Sequence, residues 1–253
     1  HRDSPVIRGL NEHLIRRLVE GSLSWVSART ELVLDHPDRV RGLVRRQIGD
    51  VSERLIKMVS SARKEVIVVS PYFVPQSEGV DFFGALASKG VRVVILTNSL
   101  ASTNHSSVHA VYARYRKPLL RQGVELYELR PIEEGSVVGD ADPARLTLHS
   151  KVAIVDRHTA FVGSFNLDPR SLYINTELGM AVESKEIAAA MASSGLESLK
   201  TVAYRLKLGD RGRLNWLYTS DGRELVARSE PDTSLWRRLL TRLMGLLPIE
   251  GQL

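Results

Sequence analysis

Between Glu65 and Arg130 the chain alternates apolar runs with segments of helical spacing. EVIVVSPYFVP and VRVVILTNS are continuous apolar runs of the kind buried on both faces of a sheet, and VELYELR reads as a further strand. GVDFFGALASKG and SVHAVYARYRKPLLRQG, which lie between them, read as helices. Strands separated by helices of this length indicate βαβ units. The expected fold is therefore α/β, a central mixed, mainly parallel sheet flanked by helices. Pro118 interrupts the second helical segment; its missing N–H and crowded ring predict a kink or a restart.

Other elements surround this unit. PVIRGLNEHLIRRLVE, DVSERLIKMVSSARK, KEIAAAMASSGLESL and TSLWRRLLTRLMGLLP have helical patterns, and RTELVLDHPD and NTELGMAVES read as strands. Asp50 with Glu53 three residues on predicts a capping box. PIEEGSVVGDADPAR is a loop by composition. In the last helical segment Trp236, Leu239, Leu240, Leu243 and Leu247 form one apolar face, opposite Arg237, Arg238 and Arg242. That pattern fits a helix closing the core, and equally a helix lying in a membrane interface.

The segment TLHSKVAIVDRHTAFVGSFNLDPRS, from Thr147, carries the chemistry. Alternation along a strand puts His149 and Lys151 on one face. With Asp156-Arg157-His158-Thr159 as the turn, Val155 pairs with Ala160, which sets Lys151 opposite Ser164 and His149 opposite Asn166. A loop of another length would shift this register. The cluster suits a phosphate: lysine gives fixed positive charge, serine and asparagine give neutral hydrogen bonds, and histidine can act as nucleophile or general acid/base. Gly163 lets the backbone pass close to a ligand, or marks a bulge. Asp156 has the opposite parity and falls at the turn; it is a candidate catalytic residue, with tying down the turn as the simpler role.

Composition narrows the rest. Zero cysteines exclude a disulfide framework, a thiolate metal site and a cysteine nucleophile. A net charge of +6 and a pI near 9.7 favour anionic partners, either nucleic acid or an acidic membrane surface. A dense Lys/Arg stripe interleaved with aromatics is missing, which disfavours nucleic acid. No apolar run reaches the ~20 residues of a membrane span. His105 and His109 stand four apart but lack a nearby acidic partner, so metal binding is disfavoured. His109, Tyr112 and Arg116 share a helical face that could line a cleft or simply pack. Tyr72 and Phe73 could approach the cleft or belong to the core.

The full pattern H-x-K-x4-D-x6-G-S-x-N, carried by His149, Lys151, Asp156, Gly163, Ser164 and Asn166, resembles the phospholipase D superfamily, and within it the bacterial cardiolipin synthases of the C type. VSPYFVPQSEG, VRVVILTNSLAST, VHAVYARYRKPLL, GVELYELRP, GSFNLDPRSLYINTELG and LLPIEGQL share the likeness. The resemblance implies a phospholipase D-like repeat and a two-step phosphatidyl transfer through a phosphohistidine, with no metal or cofactor. It makes His149 one of two catalytic histidines and Lys151 a phosphate ligand, with Ser164 and Asn166 as supporting contacts. It also makes Glu177 the acidic residue that orients a catalytic histidine. The implied substrates are phosphatidylglycerol and a second phospholipid such as phosphatidylethanolamine, at the bacterial cytoplasmic membrane, as a peripheral protein.

Members of that family place the site between two repeats, each with its own His and Lys. None of His1, His13, His36, His105, His109 and His158 has a lysine two residues on. The opening HRDSPVIRGL has neither an initiator methionine nor a signal peptide's layout. The chain is therefore expected to be a piece of a longer protein: residues 1–45 a connecting segment, 46–253 the second repeat with its terminal amphipathic helix. Its partner would be the missing N-terminal repeat or a second copy of the chain. The alternatives are a phosphodiesterase or nuclease of the same superfamily, and a non-catalytic, membrane-binding half-domain.

Overall fold

The structure is a computed structural model and describes residues 15–17, 19–22, 25–39, 48–131, 147–220, 222–247 and 250. Most of the expected first helix and the Gly/Pro/Asp loop lie outside these residues. Where the sequence alternates, so does the chain: β1 (Arg29–Leu34), α1 (Asp50–Ser60), β2 (Glu65–Val69), α2 (Gln76–Ser88), β3 (Arg92–Asn98), α3 (Ser106–Tyr112), α4 (Arg116–Arg121) and β4 (Glu125–Leu129). The motif hairpin supplies β5 (Val152–Val155) and β6 (Thr159–Gly163), followed by α5 (Pro169–Tyr173), β7 (Leu178–Glu183) and α6 (Lys185–Val202). The last part forms β8 (Ala203–Leu208), β9 (Leu214–Ser220), β10 (Arg223–Ala227) and α7 (Leu235–Met244).

All the named strands join one sheet, in the order β1-β7-β6-β5-β2-β3-β4-β8-β9-β10. The sheet is mixed, as expected, but it is not mainly parallel. Only β2–β3 and β3–β4 pair in parallel, where α2 and then α3 with α4 carry the chain back across the sheet. Every other pairing between the named strands is antiparallel. The βαβ pattern holds for β2, β3 and β4 and stops there, because short connections such as Asp156–His158 can only reverse a strand.

Alternation along the strands divides the core between two faces. Val66 and Val68 of β2 pack with Val51, Leu55, Phe83 and Leu119 from α1, α2 and α4. Ile67, Val94, Ile154 and Ala160 point the other way, onto Ala188, Ala192 and Leu199 of α6. α6 begins at Ser184, whose hydroxyl accepts from Ile187 N–H.

Of three local expectations, the restart at Pro118 occurs, the capping box does not form, and the C-terminal helix leaves its apolar face open. The segment around Pro118 splits into α3 and α4, with Pro118 in the first turn of α4, where the missing N–H has no intrahelical partner to lose. The capping box at Asp50 does not form: the N-cap is Gly49, without a side-chain bond. The orphan Val51 N–H is instead taken by Asp35 Oδ1 at 3.0 Å, from just beyond β1. The C-terminal helix is set on its less apolar side, through buried Thr241 and an Arg237 Nη2 bond to Thr103 O at 3.0 Å. The face of Trp236, Leu239, Leu240 and Leu243 stays open, and the Trp236 side is 68% exposed. Among the described residues no helix is long and apolar enough to cross a membrane.

Candidate active site

Because β5 runs antiparallel to β2, with Val152 against Val69, the residues before β5 lie beyond the C-terminal ends of β2 and β3. This is where open α/β sheets gather ligand-binding groups. The end of β6 and the start of β7 reach the same edge, where Gly163 faces Gly179.

The hairpin turn is one residue shorter than expected. Val155 pairs with Thr159, and His158 N–H donates to Val155 O at 2.9 Å. Asp156 and Arg157 both take positive φ, 51° and 52°, which closes the tighter loop. The shift sets Lys151 beside Gly163, whose N–H donates to Lys151 O at 3.2 Å, and not opposite Ser164. The residues still assemble, because the chain leaves the sheet after Gly163 and Ser164 turns toward β7. Gly163 is required by that strand: a Cβ there would collide with the Leu178 carbonyl, so the close approach is to backbone and not to a ligand.

Ser164 Oγ donates to Glu177 Oε2 and accepts from Leu178 N–H at 3.0 Å. Glu177 is buried and also receives Ser171 Oγ at 2.8 Å and Asn175 Nδ2 at 3.2 Å on Oε1. Its backbone is gripped by Asp35: Glu177 N–H donates to Asp35 Oδ2, and Asp35 N–H to Glu177 O, both at 3.0 Å. Glu177 thus sits in a cradle of hydroxyls and makes no hydrogen bond to a histidine among the described residues. Asn166 N–H donates to Ser171 Oγ at 3.3 Å, while its buried Oδ1 has no partner there.

Lys151 Nζ donates to His149 O at 2.8 Å. Burial lowers the Lys151 pKa from its ordinary value, and the carboxylates of Glu177 and Asp168 partly restore it. Those two carboxylates therefore lie within electrostatic reach of the ammonium. Burial in turn raises the pKa of Asp168, which caps α5 through Ser171 N–H at 2.8 Å, and Glu177 adds to the rise. The exposed His149 ring makes no hydrogen bond among the described residues.

Asp156 is not brought to this cluster. It lies at the far end of β5, where its carboxylate accepts the backbone N–H groups of Arg63, Lys64 and Glu65 at 2.7–2.9 Å. Burial pushes its pKa up, and those three amides more than reverse this, leaving it below the ordinary value. Its place is structural, fastening the hairpin to the start of β2.

Several supports came from strands distant in sequence. Asn98, at the end of β3, holds Leu148 on both sides: Leu148 N–H donates to Asn98 Oδ1 at 3.0 Å, and Asn98 Nδ2 to Leu148 O at 3.2 Å. Thr147 Oγ1 donates to Ser102 O at 3.0 Å. Ser70 Oγ accepts Leu167 N–H at 3.0 Å and donates to Tyr72 O at 2.7 Å, joining the end of β2 to the loop after β6. A run of Ser and Asn at the end of a strand, here SPYF and NSLAST, is the signal that could have found them.

His109 and Tyr112 border a void of about 10 Å³, and neither they nor Arg116 is hydrogen-bonded to the motif residues. All three are buried beside Glu128 and Trp216, with half-buried Glu230 against His109 and Arg116, and the Arg116 guanidinium lies 2.8 Å from the Glu128 carboxylate. Phe73 is core as well, packed against Phe83 and Tyr112, whereas Tyr72 is half-buried and donates to Asn104 Oδ1 at 3.2 Å. Among the described residues no group of His, Cys, Asp or Glu is arranged to hold a metal ion.

Comparison with known proteins bears on the same elements. A family model described as "Cardiolipin synthase, PLD-like domain" matches residues 55–194. The chain is 40% identical over 240 residues to cardiolipin synthase C of Escherichia coli, covering 93% of this chain and 50% of that protein. It spans about half the length of that relative. Among solved structures it is similar in fold to the phosphatidylserine synthase of Haemophilus influenzae, with a TM-score of 0.53 at 13% identity over 79% of this chain and 47% of that one. It is similar also to the phospholipase D family member Nuc of Salmonella typhimurium, with a TM-score of 0.51 at 16% identity over 72% of this chain and 99% of that one.

Proposed function

Since the chain belongs to the cardiolipin-synthase group of phospholipase D-like domains, we propose that it is the C-terminal half of a phosphatidyltransferase making cardiolipin from phosphatidylglycerol and a second phospholipid. The observation that carries this reading is the gathering of His149, Lys151, Ser164 and Glu177 at one edge of the sheet, with a lysine as the cation. In the first step a histidine nitrogen attacks phosphorus, a P–N bond forms, and the P–O bond to the leaving head-group alcohol breaks, glycerol from phosphatidylglycerol or ethanolamine from phosphatidylethanolamine. A second histidine gives that alkoxide its proton. In the second step the same histidine takes a proton from the acceptor hydroxyl, whose oxygen displaces the first from phosphorus. His149 supplies one of the two rings; the other comes from an N-terminal repeat or from a second copy of this chain. Lys151, with Ser164 and Asn166, offsets charge building on the phosphoryl oxygens. Phosphatidylglycerol or phosphatidylethanolamine serves as the second lipid, and work of this kind places the protein on a membrane surface.

The test mixes the purified chain with phosphatidylglycerol vesicles, with and without phosphatidylethanolamine, and reads cardiolipin by mass spectrometry. Product that disappears in His149→Ala and rises steeply with protein concentration supports a site rebuilt from two copies. Product only after adding the N-terminal repeat of a cardiolipin synthase C supports a half-enzyme. Full turnover in His149→Ala, or cleavage of plasmid DNA with no lipid product, overturns the proposal.

A further inference from the structure

Beside the candidate site lies a cavity of about 360 Å³, within the range of small-molecule pockets. Its floor is the sheet: Val68, Ala153 and Phe161 are register partners across β2, β5 and β6 and share one face. α1 and α2 form its walls through residues such as Leu55 and Phe82. Lys151 stands two residues before Ala153, so alternation turns its side chain to the same face, and it too lines the cavity. Ile48 and Ile56, which also line it, are left 47% and 39% exposed. Ser52 Oγ on α1 is buried against the cavity without a hydrogen-bond partner among the described residues.

We propose that this cavity seats one acyl chain of the phospholipid substrate while the phosphate of the same molecule rests on Lys151. The inference rests on the phosphatidyltransferase reading and adds where the lipid's tail lies. A mainly apolar chamber in which, among the described residues, Lys151 is the one lining cation and Glu78 the one lining carboxylate matches an amphiphile whose anionic head sits at the Lys151 end and whose hydrocarbon tail fills the rest. It does not match a nucleotide, which needs many polar partners; Ser70, one of the few polar residues there, already spends its hydroxyl on Tyr72 O and Leu167 N–H. The free hydroxyl of Ser52 is a donor for the ester carbonyl at the head of an acyl chain.

Calorimetry on the full chain tests this with hexanoyl, octanoyl and decanoyl lysophosphatidylglycerol, each below its micelle-forming concentration. Burying a methylene strengthens binding about fourfold, so each two-carbon step should gain roughly fifteenfold. Ala153→Leu, which fills the floor, should flatten that dependence, and Phe82→Ser, which places a hydroxyl in the wall from a half-buried position, should weaken it. Lys151→Ala should weaken all three probes by one common factor and leave the dependence intact. Thermal melting identifies folded variants; if Ala153→Leu does not fold, Phe82→Ser decides. An unchanged chain-length dependence in the folded wall or floor variants overturns the proposal. If wild type shows no such dependence but Lys151→Ala still weakens binding, the tail site fails and the phosphatidyl reading stands. If decanol binds as tightly as the decanoyl lysolipid and Lys151→Ala costs nothing, that reading fails, and the proposed lipid pose with it.

Discussion

Two contacts from Asn98, to the N–H and the carbonyl of Leu148, fix the backbone one residue before His149. Asn98 itself is buried and receives a further bond from Ser102 Oγ at 3.1 Å. Asn98→Ala should therefore lower kcat by about a hundredfold, since small misplacements of a reacting group cost on that scale, and leave KM nearly unchanged. Steady-state kinetics of the complemented enzyme checks it; a rise in KM at constant kcat would assign Asn98 to lipid binding. Asp156 makes the opposite kind of prediction, one of stability. Its pKa is depressed in the folded state, so its contribution is present above the unfolded value of 3.8 and is lost as pH falls through the lower folded value. Asp156→Asn should cost about 2 kcal/mol at neutral pH and almost nothing once the wild-type carboxyl is protonated. Parallel denaturation curves at the two pH extremes would show it, and a constant difference would refute the role. The chemistry-bearing residues were legible because they are crowded into twenty-odd positions of sequence. Asn98, Ser70 and Asp35 were not, because only tertiary pairing brings them to Leu148, Leu167 and Glu177.

At the scale of elements, periodicity served where burial is one-sided or complete and failed where it is neither. β2 and β3 are buried along most of their length and stood out as apolar runs. β8, β9 and β10 did not, because AYRLKL, LNWLYTS and RELVA mix charged, polar and apolar residues, and β10 is exposed along nearly all its length. The hairpin was legible as a hairpin, but its register was not: two successive non-glycine residues at positive φ are not signalled by composition. α7 carries its own prediction. Trp236 and Leu243 pack against little, so changing both to serine should shift stability by no more than about 1 kcal/mol. The same change should weaken binding to anionic vesicles, where a tryptophan and leucine face beside arginines is suited to the headgroup layer. Co-sedimentation with phosphatidylglycerol vesicles reads this directly. Undiminished binding would assign that face to another protein surface.

For the molecule as a whole, the hydrogen-bonded unit is larger than the matched span of residues 55–194. β1 extends the sheet at one edge, and β8–β10 extend it past β4 at the other, carrying Tyr204, Leu206 and Trp216 into the core. A fragment cut to residues 55–194 loses all of these, together with Asp35 and the last eight residues of α6. It should melt without a cooperative transition, and a sharp calorimetric peak from it would show that the outer strands are dispensable. Residues 29–35, assigned by sequence to a connecting segment, pair with β7 and grip Glu177. That attachment has a mechanical consequence. Tension on the N-terminal end would peel β1 from β7 at the sheet's margin and withdraw Asp35, leaving the inner strands joined. Under load the chain would lose the setting of Glu177 while nearly all of its fold was still standing.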